Sequence, residues 1–358
     1  MSESSKFTML GMSNSGKTCY IAGMYSELST GVDGFTLLAE DETRIKLEDE
    51  IYNLDDTSLK KEERFPQPTL QTIEALNAKT YNFGMYYDTK KIISFEIADY
   101  SGGSLRRMDE VREKINNSIA ESTVLYIFID GELFHAETME KREKRVQRRC
   151  AMTICPMIQD CAKAHSGMLP PIVFVVTKSD ICMKYAPPSE IISVIKKLFQ
   201  PAFSQGTSTY ICAVTLGKNI SDDEYRGEFE PHNMHIPFFI GCYHEYYNRW
   251  LILQHDIDTK NAKLSGEKTE IQQYVDKQYR KWKIFRDEKF IDRCRNEMKR
   301  YESNIRSNQQ LLASAKEMLM RFGICLELEY KGKPDPKKGP GFFYFKDGRQ
   351  MDFKNFQV

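Results

Sequence analysis

The chain has 358 residues, 41% of them hydrophobic, enough to bury a sizeable core in one large domain with an appendage or in two or three smaller ones. Its 51 basic and 51 acidic residues cancel to a formal net charge of +0, so bulk charge gives no argument for nucleic acid or an anionic membrane as partner. No apolar run reaches the length of a membrane span. The N-terminus runs straight into a strand and not into a targeting segment. Nine irregularly spaced cysteines suit free thiols in a reducing compartment, which points to the cytoplasm. Cys150, Cys155, Cys161 and His165 are close in sequence, but at spacings too wide for a usual zinc knuckle.

The first predicted strand, residues 7–10, leads into Gly11-Met12-Ser13-Asn14-Ser15-Gly16-Lys17-Thr18, and a helix over 18–28 follows. A charged helix is expected over 41–54 and a polar loop over 57–72. Alternation through Tyr81, Phe83, Met85 and Tyr87 predicts a strand that turns at Asp88-Thr89 into a second, 91–98. A helix over 111–119 precedes a continuous apolar run at 124–129, and further runs lie at 172–176 and 210–214. Such runs suit strands buried on both faces. Helices are expected near 146–164, 189–199 and 239–253. Strands alternating with helices predict an α/β fold: a mostly parallel sheet with helices on both faces. Residues 1–255 read as one such domain, with insertions near 31–68, 131–150 and 217–235. Residues 267–321 contain neither proline nor glycine and carry a broken apolar stripe, so 256–322 reads as a helical extension, one long helix or an antiparallel pair. Alternation over 324–330 and 342–345 predicts a small β element within 323–358.

The segment 11–18 matches GxxxxGK[ST], a phosphate-binding P-loop between a strand and a helix. Backbone N–H groups from Asn14, Ser15, Gly16 and Lys17 are expected to cradle phosphates at a helix N-terminus, with Gly11 opening the loop and Cys19 beside it. Lys17 would reach the β- and γ-phosphates, and Thr18 would place its hydroxyl on Mg²⁺. A hydrophobic strand ends at Asp99, a carboxylate suited to holding Mg²⁺ through water. It continues as Asp99-Tyr100-Ser101-Gly102, in which the Gly102 N–H would read the γ-phosphate.

Thr177-Lys178-Ser179-Asp180 resembles the [N/T]KxD motif of guanine-nucleotide-binding proteins. Asp180 can accept hydrogen bonds from the guanine N1–H and exocyclic amine, donors that adenine lacks there. The resemblance puts the aliphatic stem of Lys178 over the base. Ile211-Cys212-Ala213-Val214 resembles the loop in which a backbone N–H, here that of Ala213, donates to guanine O6. Together these motifs resemble the translation-factor-related P-loop GTPases, and more narrowly the bacterial double-GTPase-like families, over residues 5–255. The resemblance implies a Ras-like G domain of the P-loop NTPase fold that binds GTP or GDP with Mg²⁺. It also implies a threonine that closes on Mg²⁺ ahead of the second strand, with Thr69 the first choice and Thr72 the alternative. Some relatives carry an arginine in cis just before that threonine. Arg64 stands there, with a surface salt bridge or solvated side chain as the other reading. Many relatives follow DxxG with a glutamine that orients the attacking water; here the residue is Gly103, so binding is more firmly expected than turnover.

The resulting expectation is a cytoplasmic guanine-nucleotide switch that hydrolyses GTP slowly or with a partner and signals to a protein effector or activator through its helical module. A catalytically silent G domain and a P-loop ATPase are the alternatives. Arg142, Lys144, Arg145, Arg148 and Arg149 alternate with glutamates, which suits a solvated helix face better than a nucleic-acid surface. An aromatic content of 12% leaves self-association open.

Overall fold

The structure, a computed structural model, describes residues 5–66, 78–100, 102–103, 105, 109–164, 167–220, 227–279, 288–332 and 340–354. The elements run β1 (Ser5–Gly11), α1 (Lys17–Ser29), β2 (Phe35–Ala39), α2 (Asp41–Asp55), α3 (Lys61–Arg64), β3 (Lys79–Tyr87) and β4 (Lys90–Asp99). Then come α4 (Asp109–Glu121), β5 (Val124–Asp130), α5 (Met139–Val146), α6 (Met152–Ala164), β6 (Ile172–Thr177), α7 (Ser179–Tyr185), α8 (Pro188–Leu198) and β7 (Ser208–Ala213). The chain closes with α9 (His235–Tyr279), α10 (Glu288–Tyr330), β8 (Phe342–Lys346) and β9 (Arg349–Met351).

Among the described residues one sheet forms, in the order β2-β3-β4-β1-β5-β6-β7-β8-β9. β4, β1, β5, β6 and β7 are parallel, and the flanking strands at both ends are antiparallel. The apolar runs in β5 and β6 are buried almost throughout, as helices on both faces require. The expected hairpin forms as β3 and β4, and Asp88 takes a φ of 52° in its turn, a left-handed conformation that a short aspartate side chain tolerates. On one face Phe7 of β1 stacks on Phe95 of β4 at 5.4 Å and meets Phe238 of α9 edge-on at 5.8 Å.

Three expectations are corrected. Residues 35–39, placed inside an insertion, form β2 and pair with β3. Residues 324–330, expected as a strand, are the last turns of α10. Phe322, Cys325 and Leu326 are the buried positions there, a helical spacing that outweighs the short alternation of Leu and Glu. The helix stops at Gly332, whose φ is 66° and whose N–H donates to the Glu329 carbonyl. Finally, β8 is not part of a separate small β element: it joins the main sheet antiparallel to β7, with Phe342 opposite Cys212 and Phe345 opposite Thr209. Unpaired strand N–H and C=O groups favour such edge completion.

The chain divides into two compact units, Met1–His244 with Ile324–Asn355, and Glu245–Gly323. The second is an antiparallel pair of helix segments from α9 and α10. Its cross-links run in opposite directions along the two helices: Tyr246 with Phe322, Asn261 with Asn308, Lys268 with Glu302, and Tyr274 with Phe290. Its core is thin, with Val275, Ile291 and Cys294 buried and Ile271 and Phe290 packed on them.

In the first unit His235 opens α9 between two carboxylates. Its Nδ1 is 2.7 Å from Glu27 of α1, and its Nε2 is 3.4 Å from Glu329 of α10. Burial alone would lower its pKa, but the hydrogen bonds and charges of Glu27 and Glu329 prevail and raise it to about 9. A histidine with a raised folded-state pKa stabilises fully below its unfolded value near 6.5, and that stability is lost as pH climbs through 9. Chemical denaturation of wild type and His235→Ala at pH 6 and pH 9.5 should therefore differ by on the order of 2 kcal/mol more at pH 6. An equal difference at both pH values would contradict the ion-pair assignment.

Candidate nucleotide site

The groups picked out in sequence gather where the parallel strands end. β1 delivers the P-loop, β4 delivers Asp99 and β6 delivers Thr177, and β5 adds Asp130, which the sequence reading does not single out. After β1 the chain crosses to the β4 side of the sheet, and β5 then lies on the other side of β1. Such a reversal opens a crevice at the carboxyl ends of the strands.

The P-loop turns through left-handed conformations at Asn14 (φ 66°) and Gly16 (φ 81°), the second of which suits glycine. α1 then starts at Lys17 with no side-chain cap and no acidic residue in its first turn. Its positive end is left for an anion. Lys17 and Asp99 are both buried; the amine donates to the Gly11 carbonyl at 2.8 Å and lies 3.8 Å from Asp99 Oδ1. Burial pushes the Lys17 pKa down and the Asp99 pKa up, each partly offset by the other's charge. The pair is thus held in a setting that resists charge until further charged groups arrive.

Thr18 stands near enough to Asp99 to help hold its pKa down, and Asp99 Oδ1 is a buried oxygen with no hydrogen-bond partner among the described residues. A hydroxyl beside a carboxylate with a spare acceptor is a donor set that fits Mg²⁺, a hard cation that keeps several waters. Gly102 lies against the P-loop: a Cβ there would come 1.9 Å from the Ser13 nitrogen and 2.2 Å from the Met12 carbonyl carbon. Only glycine fits that approach. Gly103 is half-buried next to it.

Arg64 is not a solvated surface group. It is buried in α3, and its Nε donates to the Leu54 carbonyl of α2 at 2.7 Å, so it ties the two helices together. Thr69 and Thr72 lie outside the described residues. Arg142 also departs from the expected solvated face: it is buried and paired with Glu190 of α8.

At the base-recognition end, the Thr177 hydroxyl donates to the Ser15 carbonyl at 3.0 Å, joining β6 to the P-loop through a residue standing where asparagine is commoner. Lys178 takes a φ of 51° at the start of α7. Its amine bridges Asp130 at 3.1 Å and Glu132 at 2.8 Å, which fixes its stem. Asp180, in the first turn of α7, accepts from the Thr215 hydroxyl at 2.9 Å and from the Asn219 N–H at 3.1 Å. Cys212 and Ala213, expected in the adjoining loop, belong to β7 instead. Cys212 is fully buried in the sheet, and the Ala213 carbonyl accepts from Asn233 at 3.3 Å. The loop meeting Asp180 begins two residues later, at Thr215. A hydroxyl just beyond Val214, the apolar residue that follows β7, was the available signal.

No helix among the described residues is long and apolar enough to cross a membrane. No curated protein matches the chain. The model of the Double-GTPase 2 family matches residues 7–219, a span that contains the P-loop, Asp99, the Thr177–Asp180 motif and Thr215. With that match over more than half its length, the chain belongs to the Double-GTPase 2 family and is a P-loop GTPase that binds GTP.

Proposed function

We propose that the chain is a guanine-nucleotide switch that hydrolyses GTP slowly on its own and passes its nucleotide state to a protein partner through the α9–α10 helices. The observation that carries this reading is the Asp180 carboxylate. It is held by Thr215 and Asn219, next to a lysine fixed by two acids and a threonine bonded to the P-loop. Asp180 would read the guanine edge, with the backbone around Thr215 and Leu216 closing the base pocket. Lys17 and the backbone of 14–17 would hold the phosphates, and Thr18 and Asp99 would hold Mg²⁺. The ion would supply charge neutralisation on the phosphate oxygens.

Slow turnover follows from Gly103, which has no side chain to orient water. The Arg64 Nε is bonded to the Leu54 carbonyl of α2, so a catalytic part for Arg64 would require it to leave that contact. Transmission is supported by the tie from α1, which begins at Lys17, through Glu27 and His235 to Glu329. Movement of α1 on nucleotide exchange would pull on both roots of the long helices.

Single-turnover phosphate release from the GTP complex tests the turnover claim. We expect a rate far below the roughly 1–10³ s⁻¹ typical of enzymes, rising when a partner is added. A fast intrinsic rate would contradict the switch reading. Tight GTP binding with no release under any condition would favour a silent G domain.

A further inference from the structure

We infer that Glu50 of α2 and Tyr81 of β3 form an outer wall of the Mg²⁺ site, holding the water shell of the ion beside Asp99. This rests on the nucleotide-site reading above. Three buried oxygens near one another have no hydrogen-bond partner among the described residues: Glu50 Oε2, the Tyr81 hydroxyl and Asp99 Oδ1. A buried polar group left unsatisfied is costly, so three in one neighbourhood mark a place where a polar ligand is missing.

The strand register brings them together. Lys79 lies opposite Asp99 and Tyr81 opposite Ile97, so Lys79, Tyr81 and Asp99 share one face of the sheet. The Lys79 amine sits 4.7 Å from the centre of the Tyr81 ring and 3.6 Å from Glu50 Oε1. That lysine serves one oxygen of Glu50 and leaves the other. Burial raises the Tyr81 hydroxyl pKa far above its ordinary value, and the charges of Asp99, Glu50 and Cys19 add to the rise. Cys19 directly follows Thr18, so the cluster borders the residue that would ligate the ion.

The chemistry of the cluster selects the ligand. Two carboxylate oxygens and a phenol need donors, and waters on a divalent cation are strong donors. A further ammonium group would stand against the like charges of Lys79, 3.6 Å from Glu50, and Lys17, 3.8 Å from Asp99. Mg²⁺ sheds its waters reluctantly and is commonly held by one or two carboxylates and substrate phosphates. Outer contacts of this kind tune metal affinity even though they never touch the ion.

The test uses the full chain as Glu50→Gln and Tyr81→Phe variants, each loaded with GDP. Mg²⁺ is titrated into the GDP complex by calorimetry, and GDP affinity is measured separately in EDTA. The expected result is Mg²⁺ affinity lowered roughly tenfold by Glu50→Gln and a few-fold by Tyr81→Phe, with GDP affinity in EDTA unchanged. Mg²⁺ affinity unchanged in both variants would overturn the inference. Equal losses of GDP affinity with and without Mg²⁺ would overturn it too, assigning Glu50 and Tyr81 to packing. A wild-type chain that binds no GDP would overturn the nucleotide-site reading itself, a distinct failure visible before any variant is made.

Discussion

Replacing Lys17 with alanine is expected to lower GTP and GDP affinity by at least about 100-fold, the loss of charge-assisted bonds worth about 1.5–3 kcal/mol each. The amine is buried, and in the structure it rests on the Gly11 carbonyl, a contact it would exchange for phosphate oxygens. Its removal has a second consequence. Asp99 would remain buried without the positive charge 3.8 Å away, and burial already favours its neutral form. The variant should therefore shift Asp99 further toward protonation and weaken the Mg²⁺ dependence of whatever nucleotide binding survives. Calorimetric titration of GDP with and without Mg²⁺ reads both effects, with a thermal melt to confirm that the sheet is intact. Unchanged GDP affinity in a folded Lys17→Ala protein would remove the P-loop assignment.

The second large effect is on base selection. Asp180→Ala should cost GTP on the order of 100- to 1,000-fold in affinity, two hydrogen bonds to a charged acceptor, while leaving ATP where it was. Adenine presents no matching donors to that carboxylate, so it has nothing to lose. The competing structural role can be separated. Asp180 also holds the loop at Thr215 and Asn219, and a residue that served only as a tether would, when removed, weaken GTP and ATP alike. The GTP-to-ATP ratio, not the GTP affinity alone, is thus the informative quantity. Because the Thr215 hydroxyl bonds directly to Asp180, Thr215→Val provides the complementary change: it loosens the carboxylate without deleting it.

Legibility in the sequence followed the range of the physics involved. The P-loop and the strand ending in Asp99 were legible because their chemistry is set by a few adjacent residues, and so were the β3–β4 hairpin and the buried runs of β5 and β6. The guanine end was half legible. Lys178 and Asp180 are consecutive-motif residues, but the loop that supports them was placed at Cys212 and Ala213. The apolar run 210–214 does not show that only its last residue, Val214, leaves the sheet. The C-terminal end was misread for a different reason. Over 324–330, Leu326, Glu327, Leu328 and Glu329 alternate as a strand would, and only the tertiary burial of Phe322, Cys325 and Leu326 decides for helix. The pairing of β8 with β7 joins residues more than a hundred positions apart, a contact that no local pattern encodes. Arg64 likewise looked like a loop arginine, and its buried bond to Leu54 depends on how α3 folds back on α2.

The central claim is guanine-specific nucleotide binding at the carboxyl ends of the parallel strands, and competition binding on the purified full chain tests it most directly. GDP labelled with a fluorophore would be displaced by GTP, GDP or ATP in the presence of Mg²⁺. The account predicts displacement by GTP and GDP at concentrations at least roughly 100-fold below that needed for ATP, the ratio expected from two lost hydrogen bonds to a charged group. Equal displacement by ATP would contradict the reading of Asp180 and, with it, the switch proposed for this chain.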